Sequence, residues 1–377
     1  MIYMYSHMVY HTAAMRISHL KTDKSALRFT LSGVNVSVAN AIRRAMLTDI
    51  PVCGLLETES VIELNTSRMH NEILKHRLSC VPVHVDARDI DAFVDKYELF
   101  VDLDNATDAT IYVTTEHFRV REKNGGPELS PAARVAVFPP NVVTGCYIDF
   151  ARLRARIGGS IPGEALRLVA GFARVTAHYS AAYTAVACCS YANTPDPAAI
   201  ADRWRDISAA RAAAEVPAAE IENERRDFMV LDAQRIFVPD SFDFVVESVG
   251  VYDNAAIVRM ACAGLGARCR EVARRIEEQE MRIAASATEM ANCFDLQLDG
   301  EDYTIGKVLE AVLYESLFVS TQTLSFCGFK KFHPHDLYSI SRLAFEAPTS
   351  AEAVGAHVAA AAAAAAGVFD AIGKMIE

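Results

Sequence analysis

The chain has 377 residues, 51% of them hydrophobic, enough for two or three domains with sizeable cores. A formal net charge of −11 argues against a protein whose own task is to grip nucleic acid by its phosphates, although a local basic patch is compatible with it. Nine cysteines, at 53, 80, 146, 188, 189, 262, 269, 293 and 327, form no CxxC pair, which fits a reduced intracellular protein and not a disulfide framework or zinc ribbon.

The opening stretch, MIYMYSHMVYHTAAM, carries no Lys or Arg and so lacks the basic start of a signal peptide. It reads as a disordered extension, with Met15 as an alternative start. Met15 to Leu20 and Ala26 to Ser32 alternate as two strands around the polar turn KTDKS. A helix follows from Ser37 and ends before Pro51. Its apolar residues Val38, Ala41, Ile42, Ala45 and Met46 are spaced i, i+3, i+4, i+7, i+8, a single buried stripe. Arg43 and Arg44 sit against that stripe, so at least one guanidinium must lean toward another partner.

Gly54 to Asn65 reads as a strand, and Met69 to Cys80 as a short helix closed by Pro82. Tyr97 to Asp102, Thr110 to Arg121, Arg134 to Phe138 and Ala165 to Tyr191 are β-like runs between turn-rich segments, the texture of an inserted β-rich domain. Asn193 to Asp227 reads as a helical linker. Phe228 to Val238 and Phe242 to Gly250 restore strand character, and Tyr252 to Arg282 forms a long helix. Strands near Thr323 to Phe329 and Leu337 to Phe345 flank the loop KKFHPHD. The closing segment, Ala353 to Phe369 with its eight consecutive alanines, reads as a helix packed in a soluble protein: alanine favours helix strongly and brings little membrane-transfer energy.

The strand and first helix recur. RFTLSGVNVSVANAIRRAML (28–47) aligns without gaps with DLQLDGEDYTIGKVLEAVLY (295–314), Gly33 on Gly300 and Ser37 on Thr304. Phe29/Leu296, Leu31/Leu298, Val38/Ile305, Ile42/Leu309, Ala45/Val312 and Met46/Leu313 match in apolar character. Each copy predicts a strand, a turn at the glycine, a hydroxyl N-cap at Ser37 or Thr304, and an amphipathic helix. Two like units predict a pseudo-twofold pair within one polypeptide.

No catalytic constellation emerges. Adjacent Cys188 and Cys189 on a strand point to opposite faces, and they read as structural thiols. His70 and His76 lie six apart, about 600° of helical rotation, which is not a zincin spacing. His333 and His335 flank Pro334 in a loop and read as surface or interface residues. GGS at 158–160 lacks the lysine and helix start of a phosphate loop. No cofactor and no metal are expected.

The run SVANAIRRAMLTDIPVCGLLETESVIELNTSRMHNEILKHRLSCVPV resembles the assembly signature of the bacterial RNA polymerase alpha subunit and its relatives, the third-largest subunit of eukaryotic polymerase II and its archaeal counterpart. The shared pattern is an NALRR-type helix ending before Pro, a strand, then H-x-E-x-x-x-H-R before another Pro. Asn40, Arg43, Arg44, His70, Glu72, His76 and Arg77 stand at the matching positions. ALRLVAGFARVTAHYS resembles the inserted-domain run of that family, but it departs from the usual Gly pair and the following Lys-Trp. FDFVVESVG matches the end of the large subunit. LDGEDYTIGKVLEAVLYES and FCGFKKFHPHD are similar to its small partner, the eleventh subunit of polymerase II or the archaeal equivalent, with Phe329 in the aromatic slot.

The resemblance implies an α+β chain fusing both halves of an alpha-like heterodimer. A large half would span 1–83 plus 227–285, a β-rich inserted domain and linker 84–226, and a small-partner-like half 286–377. Val38, Ile42, Ala45 and Met46 would pair with Ile305, Leu309, Val312 and Leu313 in an internal dimer core. The seven motif residues would face partner subunits. It further implies a non-catalytic assembly platform docking the largest and second-largest polymerase subunits. Small zinc-bearing subunits would be further partners, DNA would be reached only through the complex, and no membrane would be involved. Fused forms imply a large DNA virus, acting in the host cytoplasm or nucleus, with packaging in the virion. The alternative from another class is a free-standing regulatory or binding protein that reuses the dimer fold.

Overall fold

The computed structural model describes residues 15–23 and 25–376, so the expectations for the first fourteen residues lie outside it. In chain order come β1 (Arg16–Asp23), β2 (Ala26–Ser32), α1 (Val36–Thr48), β3 (Val52–Asn65), α2 (Asn71–Ser79), α3 (Ile90–Lys96), β4 (Tyr97–Asp104), β5 (Ile111–Thr114) and β6 (Arg119–Glu122). Next are α4 (Pro131–Val137), β7 (Asp149–Leu153), β8 (Ala165–Val175), β9 (Val186–Pro195), α5 (Pro197–Ala213), α6 (Ala218–Val230) and β10 (Phe237–Ser248). Last come α7 (Asn254–Glu277), β11 (Ile283–Ala285), β12 (Cys293–Asp299), α8 (Tyr303–Leu313), a π-helical turn (Tyr314–Ser320), β13 (Leu324–Lys330), β14 (Tyr338–Phe345) and α9 (Ala351–Met375).

Three local expectations are corrected. Arg134 to Phe138 is not a strand: Pro131 opens α4 and the Ser130 hydroxyl accepts from the Ala133 N–H at 3.3 Å, a start signal stronger than the short β-like run. Phe228 to Val230 ends helix α6, where Phe228 packs on Trp204 with ring centroids 5.5 Å apart, and the strand begins only at Phe237. The run from Ala165 to Tyr191 is two strands in different sheets, β8 and β9, separated by a turn.

The chain divides into two compact units. The first comprises the chain up to Ala45, Cys188–Glu247 and the chain from Val258 onward; the second comprises Met46–Ala187 and Ser248–Ile257.

The first unit holds two four-stranded antiparallel sheets, ordered β1-β2-β10-β9 and β11-β12-β14-β13. The orders correspond strand for strand: a hairpin, then the later strand pair in reversed sequence. Within the first sheet, alternation puts Leu27, Phe29 and Leu31 opposite Val246, Phe244 and Phe242, all buried, with the Phe29 and Phe244 rings stacked at 4.9 Å. The opposite face is hydroxyl-rich: Thr30 donates to Asp243 at 2.6 Å and Ser32 meets Ser241 at 2.9 Å.

The two turns match in detail. Gly33 (φ 76°) donates its N–H to the Asp240 carbonyl at 2.8 Å, and Gly300 (φ 77°) donates to the Leu337 carbonyl at 2.8 Å. Each acceptor immediately precedes the residue paired with the strand end, Ser241 with Ser32 and Tyr338 with Asp299. Only glycine adopts this left-handed backbone without cost. The caps also correspond, but not at the hydroxyls: Asn35 Oδ1 accepts from Ser37 N at 2.9 Å and Asp302 Oδ1 from Thr304 N at 2.8 Å. The caps therefore fall two residues earlier than expected, and both keep one register relative to the glycines.

Helix α9 is long and apolar enough to cross a membrane by length and composition, yet 56% of its most apolar stretch is buried inside the protein. It packs on α8, and Asp370 Oδ2 accepts from Arg270 of α7 at 2.9 Å. Its apolar face is thus used in packing.

The second unit is built on the sheet β3-β8-β4-β6, with the two-stranded β5-β7 beside it. Its core joins Leu55, Leu99, Val101, Leu168 and Phe172 of the sheet to Leu74 and Leu78 of α2. Phe118 stands edge-on to both Phe138 (5.4 Å) and Phe150 (5.2 Å).

Gly306, on the second turn of α8, has no room for a side chain: an added Cβ would fall inside the Phe329 ring. Gly306→Ala should lower stability by about 1–3 kcal/mol through overpacking. Denaturant unfolding checks this; an unchanged midpoint would show that Phe329 moves aside freely.

Candidate subunit-docking site

The motif residues fall in two places. Asn40, Arg43 and Arg44 lie on α1, all half-buried, while His70 caps the start of α2 and Glu72, His76 and Arg77 lie on it, all four exposed. The two groups belong to different compact units.

On α1, Asn40 Oδ1 accepts from both Arg43 Nε (3.0 Å) and Arg43 Nη2 (2.9 Å), so the amide fixes the guanidinium along its own helix. The Cys189 thiol donates to the Arg43 carbonyl at 3.7 Å. Arg44 turns the other way, as its place beside the apolar stripe requires. Its Nε donates to Thr304 Oγ1 at 2.8 Å and its Nη2 to Asp302 Oδ2 at 2.6 Å. A cation at a helix N-terminus meets the positive end of the dipole, and Asp302 neutralises it there. Beside it, Arg268 of α7 pairs with Glu301 at 2.5 Å.

Burial pushes the Asp302 carboxyl up, but the hydrogen bonds from Thr304 and the charges of Arg44 and Arg268 outweigh it, leaving the pKa lowered. At the other end of the pair, Asn35 Nδ2 donates to Glu315 Oε1 at 3.2 Å, at the start of the π-helical turn. Burial raises the Glu315 pKa, with the Asn35 hydrogen bond opposing. The start of each helix therefore meets the end of the other, so α1 and α8 run antiparallel. Val38, Ile42, Ala45, Met46, Ile305, Leu309, Val312 and Leu313 are all buried to 1% exposure or less.

Sequence reasoning missed Asn35, Asp302, Arg268, Glu301 and Glu315. The legible signal was Asn and Asp, the strongest N-cap types, two positions before Ser37 and Thr304.

Helix α2 buries Leu74, Leu78 and Ser79 against its unit. Glu72 in its first turn and His76 and Arg77 in its last complement the dipole. Arg77 is also a brace: Nε donates to the Phe150 carbonyl at 2.8 Å and Nη2 to the Asp149 carbonyl at 2.7 Å, holding the start of β7.

Burial pushes the Cys53, Cys189, Cys262, Cys269 and Cys327 thiols up to about 12, far from nucleophilic at neutral pH. Cys188 is exposed and Cys189 buried, as strand alternation requires. Among the described residues no three His, Cys, Asp or Glu side chains cluster to hold a metal ion.

A strand–glycine–helix segment thus occurs at both α1 and α8, in a mixed α/β chain of antiparallel sheets, with polar contacts joining the ends of the two helices. Residues 28–269 match the RNA polymerase Rpb3/Rpb11 dimerisation domain, and the chain belongs to that family. It is 34% identical over 73 residues to the human subunit RPAC1 of DNA-directed RNA polymerases I and III, covering 19% of this chain and 20% of that one. Against subunit Rpo3 of the DNA-directed RNA polymerase of Pyrococcus furiosus it is 32% identical over 103 residues, 26% of this chain and 39% of the relative. Subunit 3 of Arabidopsis thaliana RNA polymerases II, IV and V is 36% identical over 69 residues, 18% of this chain and 20% of the relative. The chain thus spans only a fifth to two-fifths of the relatives it matches.

Arg44→Ala should lower stability by about 1–2 kcal/mol near neutral pH, because it removes the guanidinium bonded to the half-buried Asp302 and leaves only the charge of Arg268 beside it. Since the folded Asp302 pKa is depressed, its contribution is full above the ordinary carboxylate value and lost as pH falls through the lowered one. Asp302→Asn should therefore flatten the acid-side loss of stability, read by thermal unfolding from roughly pH 6 to pH 3. An unaltered pH profile would remove Asp302 from this role.

Proposed function

We propose that this chain is a non-catalytic assembly platform of a multisubunit DNA-directed RNA polymerase, docking the second-largest and then the largest subunit. The observation that carries the proposal is the repeated strand–glycine–helix unit in a chain belonging to the Rpb3/Rpb11 family. The matched residues end at 269, and the second repeat follows them. In this reading the chain is a head-to-tail fusion of the two halves of an alpha-like pair, related by a pseudo-twofold. The large half is 1–83 plus 227–285, the inserted domain and linker 84–226, and the small half 286–377.

Fusion makes the pairing intramolecular, at an effective concentration on the order of mM, and holds the halves at one to one. The apolar stripes of α1 and α8 form the pair's core, and Asn40, Arg43, His70, Glu72 and His76 face other polymerase subunits. Arg44 serves the internal pairing instead, and Arg77 braces the docking surface. Small zinc-bearing subunits would join the same platform, and DNA would be reached through the assembled enzyme. A large DNA virus is the proposed source, with transcription in host cytoplasm or nucleus.

Purification of the tagged chain from its native source should bring down the two largest polymerase subunits at one to one with it. In reconstitution with the second-largest subunit, Arg43→Ala should weaken binding at least about tenfold, which corresponds to about 1.4 kcal/mol, with the unfolding midpoint retained. Elution of the chain alone would end the polymerase reading; unchanged affinity of the Arg43 variant would move the contact elsewhere.

A further inference from the structure

We infer that the hydroxyl-rich face of the sheet β1-β2-β10-β9 is a binding site for a small organic cation, an alkylammonium of the polyamine type. The face holds a cleft of about 410 Å³, lined by His19 of β1, Thr30 and Ser32 of β2, Ser241 of β10 and Thr194 of β9, with Arg16 and Asp240 also in its wall. That size lies within the range of small-molecule sites, roughly 300–1,000 Å³.

The polar side chains form one hydrogen-bonded chain, and counting protons fixes its direction. A carboxylate only accepts, and a hydroxyl has a single proton to give. Thr30 donates to Asp243 Oδ1 at 2.6 Å, and Thr194 donates to the same oxygen at 3.1 Å. Thr194 therefore accepts from Ser241 at 2.8 Å, and Ser241, its own proton committed, accepts from Ser32 at 2.9 Å. By the same count Thr30 accepts from His19 Nδ1 at 3.2 Å, so the neutral imidazole carries its proton there and its Nε2 is an acceptor. All these protons point toward Asp243. Toward the cleft the oxygens and the imidazole present lone pairs, and a ligand must bring the donors.

The arrangement is built into the sheet. Thr30 and Ser241 are 6% and 4% exposed. Ser18 pairs with Thr30, so regular alternation would send His19 to the opposite face, that of Phe29 and Leu31. Instead β1 bulges between Ser18 and Lys21, and His19 takes φ 53°, a left-handed backbone that few non-glycine residues adopt. The bulge returns the ring to Thr30. Backbone strain of this kind persists where the surrounding structure imposes it, and it clusters at functional sites.

An alkylammonium supplies N–H donors and the charge opposite to Asp240 and Asp243. The net charge of −11 adds long-range attraction. Arg16 opposes a cation, whereas an anionic ligand would need it, and this difference of sign separates the two readings of the cleft.

The test is isothermal titration calorimetry of the full chain at about pH 8, where imidazole is ordinarily neutral, with spermidine as probe and inorganic phosphate as its anionic counterpart. Spermidine should saturate a single site. Asp243→Asn should weaken binding at least about tenfold. Ser32→Ala, at the open end of the chain, should weaken it at least about threefold and serves alone if the Asp243 variant does not fold. Arg16→Ala should tighten binding at least about twofold, and Asp108→Asn, an exposed carboxylate of the second unit, should leave it unchanged. Nitrogen-15 shifts of the His19 ring, assigned with His19→Gln, should report the Nδ1–H tautomer and a change at Nε2 on adding spermidine. Absence of saturable spermidine binding overturns the proposal. Phosphate binding that is lost in Arg16→Ala overturns it in favour of an anion site. An equal loss in Asp108→Asn reduces the effect to the general attraction of an acidic protein, and a His19 proton on Nε2 removes the directed chain on which the proposal stands.

Discussion

The arrangement of the first unit turns on a guanidinium that cannot stay with its own helix. Arg44 sits half-buried beside the apolar stripe of α1, where leaving a cation unpaired would be costly. The Asp302 carboxylate and the Thr304 hydroxyl at the start of α8 relieve that cost. Asp302 in turn caps α8, so one carboxylate ends an orphaned backbone donor and neutralises a cation at the positive end of a dipole. Apolar stripes alone are not directional; this latch, together with Asn35 on Glu315 at the opposite end, sets how the two helices are aligned.

The repeat gives this latch its frame. Gly33 and Gly300 make the same left-handed turn and the same bond to the neighbouring strand, so each helix leaves its sheet in an equivalent way. The equivalence is one of backbone and caps, not of surface chemistry. Arg44 corresponds in register to Ala311, so the latch is asymmetric although the frame repeats.

The second unit shows a different economy. Its core is completed by α2, and the outward side of that helix is left charged and exposed. Arg77 resembles a surface contact residue in the sequence, yet its donors are used on two backbone carbonyls of β7. Conversely, Val142 and Val143 are apolar yet stand fully in water.

Much of the fold was legible because its signals are local. The apolar stripe of α1, the paired glycines and the strand alternation each follow from residue spacing and backbone sterics, which a sequence carries directly. Where local signals competed, the weaker reading failed: Pro131 after Ser130 made a helix of a β-like run, and Asn35 and Asp302 took the caps from the hydroxyls two residues on. The sequence by itself determined the elements, the repeat and the family resemblance, because these depend on short-range order. Only the tertiary structure decided which partner each charged group takes. Arg44 reaches Asp302 across 258 residues and Arg77 reaches Phe150 across 73, and nothing in the local pattern of either arginine records a contact made by chain folding at that distance.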